Sequence, residues 1–79
     1  MNKSQLVALA RVRRMIKSGE AKAIRIENGL SLAEMGSCIG KGVGPGTVWR
    51  WEEGQRIPRG ELGLAYLAAL EALILADSA

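Results

Sequence analysis

An all-α fold of about five helices, with no strand and no internal repeat, is what these 79 residues predict, and three observations predict it. Apolar residues recur at spacings of three and four, which places them on single helix faces. Helix-start signals stand ahead of these stretches: Ser31 is followed three residues later by Glu34, and Pro45 sits where a first turn needs no N–H. Glycines such as Gly19 and Gly54 then break the chain between helices.

The first helix is expected over residues 4–17, capped by Ser4. Ala8, Leu9, Val12, Met15 and Ile16 share one side and Lys3, Arg11, Arg14 and Lys17 the other, which makes a basic amphipathic helix. Being short and without an aromatic anchor, it is expected to pack its oily side on the domain, with the basic side solvated or near phosphate, and not to lie on a membrane. Gly19 separates it from a second helix over 20–28, whose Ala21 and Ile24 join the core. A third helix, over 32–40, starts behind Ser31, whose side chain forms a capping box with Glu34. Leu32, Met35 and Ile39 form its apolar face. Gly36 and Gly40 each weaken it by about 1 kcal/mol relative to alanine, which points to a steric purpose, the close approach of the next helix. That helix spans 45–53, begins at Gly44 or Pro45, and takes Gly54 as its C-cap. The last spans 60–76. Leu62, Tyr66, Ala69, Leu70 and Leu73 make its stripe, while Leu64, Leu67, Ile74 and Leu75 lie outside it, so it is expected to be covered on more than one side.

Composition bounds the chemistry. A chain this short makes one domain, near the size at which a single core is marginal. The net charge is +3, unevenly spread: residues 1–28 hold seven Lys/Arg against two Glu, and residues 60–79 hold three acids and no Lys or Arg. A basic end suits a nucleic-acid partner and the acidic, oily end something else. There is no histidine and only one cysteine, Cys38, so neither an intrachain disulfide nor a metal site is expected, and no catalytic constellation is present. Cys38 is expected as a small buried or half-buried thiol. The apolar run from Leu6 to Ala10 is interrupted by Arg11, Arg13 and Arg14, so no secretory signal is read and a cytoplasmic location is expected.

The middle of the chain carries a resemblance. Arg25, Glu27, Asn28, Gly29, Leu30 and Ser31 stand in one recognisable order, followed by Met35, Gly36, Ile39 and Gly40, then by Val43 and Val48. Thr47, Arg50, Trp51, Glu52, Gly54 and Pro58 complete a "T-(I/V)-x-R-W-E-x-G-x-x-x-P" ending. This pattern, over about half the chain, resembles the lambda-repressor/Cro-like helix-turn-helix family. The resemblance implies that helix 45–53 enters the major groove of double-stranded DNA while helix 32–40 braces it. It further implies a partly buried ion pair between Arg25 and Glu52, and a loop carrying Gln55, Arg56 and Arg59 along the DNA backbone. Neither a cofactor nor a small-molecule substrate is implied.

Departures from the pattern matter for readout. Lys41 and Gly42 are extra residues in the turn, and the positions where the family places side-chain readers are here Gly44, Pro45 and Gly46. Val48 and Trp51 are expected to face inward. Readout is left to Thr47, Trp49 and Arg50, to backbone approach at Gly44 and Gly46, and to Lys41 reaching phosphate or base. Arg50 matches the O6/N7 acceptors of guanine, worth about 1–3 kcal/mol of discrimination. Trp49 stacks on sugar or a thymine methyl, or packs on a neighbouring helix; the sequence leaves both open. The oily last helix is expected to dimerise through Leu67, Leu70 and Ile74, or else to be covered by helix 4–17. Function is read as operator binding by a phage or prophage Cro-like regulator or repressor. The alternative is a protein-interaction module, an antitoxin or an adaptor that has lost DNA reading, which the bare Gly44–Gly46 stretch favours.

Overall fold

Five α-helices and no strand make up residues 1–78, the part of the chain that the computed structural model describes. They are α1 (Lys3–Ser18), α2 (Glu20–Glu27), α3 (Leu32–Ile39), α4 (Pro45–Glu52) and α5 (Gly60–Ser78). The Cα radius of gyration is 11.5 Å, as for a close-packed chain of this length. Among the described residues, no helix is long and apolar enough to cross a membrane.

Local chemistry sets the boundaries. Asn2, not Ser4, caps α1: its side chain accepts from the Gln5 N–H at 2.8 Å, and Gln5 Oε1 accepts from the Asn2 N–H at 3.1 Å. This is the same reciprocal box that Ser31 and Glu34 form ahead of α3, at 3.0 and 2.9 Å. The N–H groups of Ser31 and Glu34 are thereby both satisfied, and the backbone bond from Ser31 holds the Glu34 carboxyl below its ordinary pKa. Pro45 opens α4 behind Gly44. At its far end Glu53 is the cap residue, and Gly54 follows in the left-handed region at φ 74°. There the Gly54 N–H reaches the Trp51 carbonyl and the Gln55 N–H the Arg50 carbonyl, closing the helix as a Schellman turn.

Helix α5 is the hub, with α1, α2 and α3 all packed on it and α4 held chiefly by α3. Tyr66 and Leu70 of α5 are completely buried with Val12, Met35 and Val48, and Leu9, Met15, Ala21, Ile24, Ile39, Trp51 and Leu67 close the cluster. The buried stripe of α5 is Gly63, Tyr66, Leu67, Ala69 and Leu70, rotated from the expected one; Leu62 lies at the surface. Gly63 is the cause: a Cβ there would collide with the Leu9 side chain, so α1 settles into the glycine and turns that face of α5 inward. Leu67 and Leu70, at 6% and 0% exposure, therefore belong to the core of one chain and do not form a subunit interface. Ile74 is half-buried against the same core. Cys38 also departs from expectation. The buried side of α3 is Met35, Gly36 and Ile39, and Cys38 points away from it, exposed.

Candidate nucleic-acid interface

Helices α3 and α4 are joined by the turn Gly40–Gly44. Gly40, Lys41 and Gly42 all have positive φ (82°, 54° and 73°), and the Val43 N–H closes onto the Gly40 carbonyl at 3.1 Å. With two consecutive left-handed residues, Lys41 and Gly42, at its centre, this segment folds as one tight turn. Gly36 has the expected steric purpose: a Cβ there would strike the Val43 carbonyl oxygen. Gly40 does not, having open space around it, and serves the turn's backbone conformation.

Two anchors fix α4 from behind. Val48, Trp51 and Glu52 face inward, and Trp51 stacks on Tyr66 with ring centroids 5.1 Å apart at 28°. Arg25 of α2 meets Glu52 in a fork, Nε to Oε2 at 2.6 Å and Nη2 to Oε1 at 3.0 Å, while Nη1 donates to the Leu30 carbonyl at 2.9 Å. Their side chains are 13% and 1% exposed, so the pair is shielded from water. Its hydrogen bonds to Glu52 raise the Arg25 pKa.

Outward, α4 presents Gly46, Trp49 and Arg50. Trp49 is 44% exposed. The Arg50 side chain folds back toward the helix start, so that Nη1 lies 4.0 Å from where a Cβ of Gly46 would be. Thr47 and Arg50 form one wall of an open groove of about 730 Å³, continued by Gln55, Arg56 and Arg59. Gln55 and Arg56 also donate their N–H groups to the Arg50 carbonyl, at 2.8 and 3.3 Å, which ties the loop to the end of α4. Ile57 and Leu62 complete the rim; Ile57, an isolated apolar residue beside a proline, carries no periodic signal by which sequence reasoning finds it, and Leu62, expected in the inward stripe of α5, stands at the surface instead.

Ion pairing separates these cations from four others. Four of the eleven Lys/Arg side chains lie within 4.0 Å of a carboxylate: Arg11 with Glu71, Lys22 with Glu53, Arg25 with Glu52, and Lys41 with Glu61. Among the described residues Arg50, Arg56 and Arg59 have no such partner, and the groove wall they share contains no acid. Lys41 is brought to Glu61 at the start of α5, 3.7 Å away and solvent-exposed, not to the groove. Gly44 is half-buried at the head of α4.

Comparison of this chain with protein-family models, with curated proteins and with solved structures finds no match.

Proposed function

We propose that this chain is a cytoplasmic, sequence-specific DNA-binding regulator of transcription, a helix-turn-helix protein of the compact phage or prophage Cro-like kind. The observation that carries the reading is the outer face of α4. There Arg50, with Arg56 and Arg59 of the loop that follows, makes three arginines without carboxylate partners lining one groove beside an exposed tryptophan, and α4 itself is locked from behind. Polyanion binding draws on such unneutralised cations, since each phosphate contact releases a counterion. In this reading α4 enters the major groove, and Gly44, Pro45 and Gly46 let its backbone come close to the DNA. Arg50 addresses a guanine edge, and Arg56 and Arg59 hold phosphates. Two copies occupy a palindromic operator, touching through a surface other than Leu67 and Leu70.

Selection of bound fragments from a random duplex pool tests all of this together. A recurrent motif with two-fold symmetry is the expected result. No enrichment, with salt-independent passage over immobilised DNA, would reject the reading and favour a protein-interaction module. A single 8.4 kDa species in sedimentation, both free and on the selected fragment, would reject the two-copy part.

A further inference from the structure

Beside the Arg50 groove lies a second hollow, of about 460 Å³, and the two share Gly54, Arg56 and Ile57, so they meet along the loop after α4. The far wall of the second hollow is α1, which supplies Arg13, Ile16 and Lys17. Arg13 and Lys17 stand one helical turn apart on the same side of α1, and both are exposed. The two carboxylates at the hollow are already engaged, Glu52 in the fork with Arg25 and Glu53 with Lys22 at 3.4 Å. Arg13, Lys17 and Arg56 have no carboxylate within 4.0 Å among the described residues. Three cations without ion-pair partners thus line a hollow whose two acids are both engaged elsewhere, which leaves the cations open to an added anion.

We infer that this hollow is a second backbone clamp: Arg13 and Lys17 of α1, together with Arg56, hold phosphates of the DNA strand that flanks the bases addressed by α4. The inference rests on the DNA-binding reading and extends it to a helix upstream of the family-like segment. Continuity selects a nucleic-acid strand over other anions. Each strand of duplex DNA carries a phosphate charge about every 3.4 Å of axis, so a strand crossing the loop from Arg50 and Arg59 brings further phosphates to the next hollow. Contacts of this kind carry no base information; they lengthen the footprint and set register.

The test is the full chain carrying Arg13→Gln and Lys17→Gln, compared with the unmodified protein on the selected operator and on random duplex. Both side chains are exposed, so an unchanged melting temperature is the fold control. Expected is a slope of log affinity against log salt that is shallower by about two, one for each lost phosphate contact. Affinity falls by the same factor on both DNAs, the hydroxyl-radical footprint loses its outer edge, and Arg13→Lys with Lys17→Arg restores the slope. An unchanged slope and footprint, with the unmodified protein binding DNA in a salt-dependent way, overturns the clamp and leaves the DNA reading standing. Absence of salt-dependent binding by the unmodified protein overturns both. Loss of retention on polyglutamate or on phosphatidylserine vesicles, with DNA binding untouched, assigns the hollow to an acidic protein or a membrane and overturns the clamp as well.

Discussion

On the inward side of α4, Val48 is completely buried, Trp51 stacks on Tyr66, and Glu52 is forked by Arg25; on the outward side, Gly46, Trp49 and Arg50 are exposed. One short helix therefore carries two kinds of residue with separate consequences. Inward residues decide where the helix stands, and their loss is felt as stability. Outward residues decide what it meets, and their loss should be felt only in binding. Substitutions chosen on the two sides test that division.

The largest effect belongs to the buried fork. Arg25→Ala leaves the Glu52 carboxylate 1% exposed with no opposite charge, and should cost about 3–5 kcal/mol of stability. Glu52→Ala should cost less, because the Arg25 side chain is 13% exposed and still donates to the Leu30 carbonyl. The double change should cost less than the sum, as for any pair that acts as a unit. Arg25→Ala should also acquire a pH response of its own. A buried, unpaired carboxyl has its folded-state pKa raised, so its penalty is largest at neutral pH and shrinks as pH falls toward the ordinary carboxyl value. Thermal melts between mild acid and neutrality measure this; additivity of the single changes, or stability flat with pH in Arg25→Ala, would show that the fork does not hold α4.

A glycine on each side sharpens the comparison. Gly36→Ala drives a methyl into the Val43 carbonyl oxygen, a backbone atom that moves only if the turn moves. Overpacking of this sort costs about 1–3 kcal/mol, against a gain in helix propensity of about 1 kcal/mol. Net destabilisation and weaker DNA binding are expected together, because α4 shifts with the turn. Gly46→Ala meets only the flexible end of Arg50 at 4.0 Å and should raise stability by about 0.5–1 kcal/mol. Chemical denaturation of the two variants should show opposite signs, and the same sign in both would contradict the assigned close approach.

Arg50→Ala isolates the outward side. It should leave the melting temperature unchanged while costing about 1–3 kcal/mol on the preferred operator and relaxing preference at one base pair. Arg56→Ala and Arg59→Ala should instead weaken binding to all sequences alike, with a shallower salt slope. Equal loss on operator and random duplex for Arg50→Ala would make it a phosphate clamp and move sequence choice to Trp49, Thr47 or DNA shape.

What was legible in the sequence follows the same division. Period and caps place α3 and α4, because Ser31, Glu34, Pro45 and Gly54 each have a local reason to stand where they do. The fork from Arg25 to Glu52 joins residues 27 apart in sequence, and no local rule finds it; the family-like pattern did. The stripe of α5 was misplaced because Gly63 has no side chain to count as apolar, yet its emptiness is what admits Leu9. With that face turned inward, Leu67 and Leu70 pass from an expected interface to the core. Arg13 escaped notice for a different reason. Its role depends on which side of α1 meets the loop after α4, a matter of tertiary packing and not of helical period.

The smallest effect comes from behind Trp51. Tyr66 is completely buried, and its hydroxyl has no hydrogen-bond partner among the described residues. An orphaned buried hydroxyl carries its desolvation cost, so Tyr66→Phe should be neutral or stabilising by up to about 1 kcal/mol, provided the stack on Trp51 is kept. Burial, reinforced by the nearby Glu52 charge, pushes the Tyr66 pKa well above the ordinary tyrosine value. The sign follows from which form folding favours. A raised folded-state pKa means that the neutral phenol is the folded form, so its contribution is fully present below the ordinary tyrosine value near 10 and is lost as pH climbs beyond it. The unmodified protein should therefore lose stability in strong alkali more steeply than Tyr66→Phe, with the two matching in slope at neutral pH. Denaturant midpoints measured from neutrality upward decide the matter: parallel curves would mean that the phenol reaches water, and that the wall behind α4 is less closed than the packing of Trp51 on Tyr66 requires.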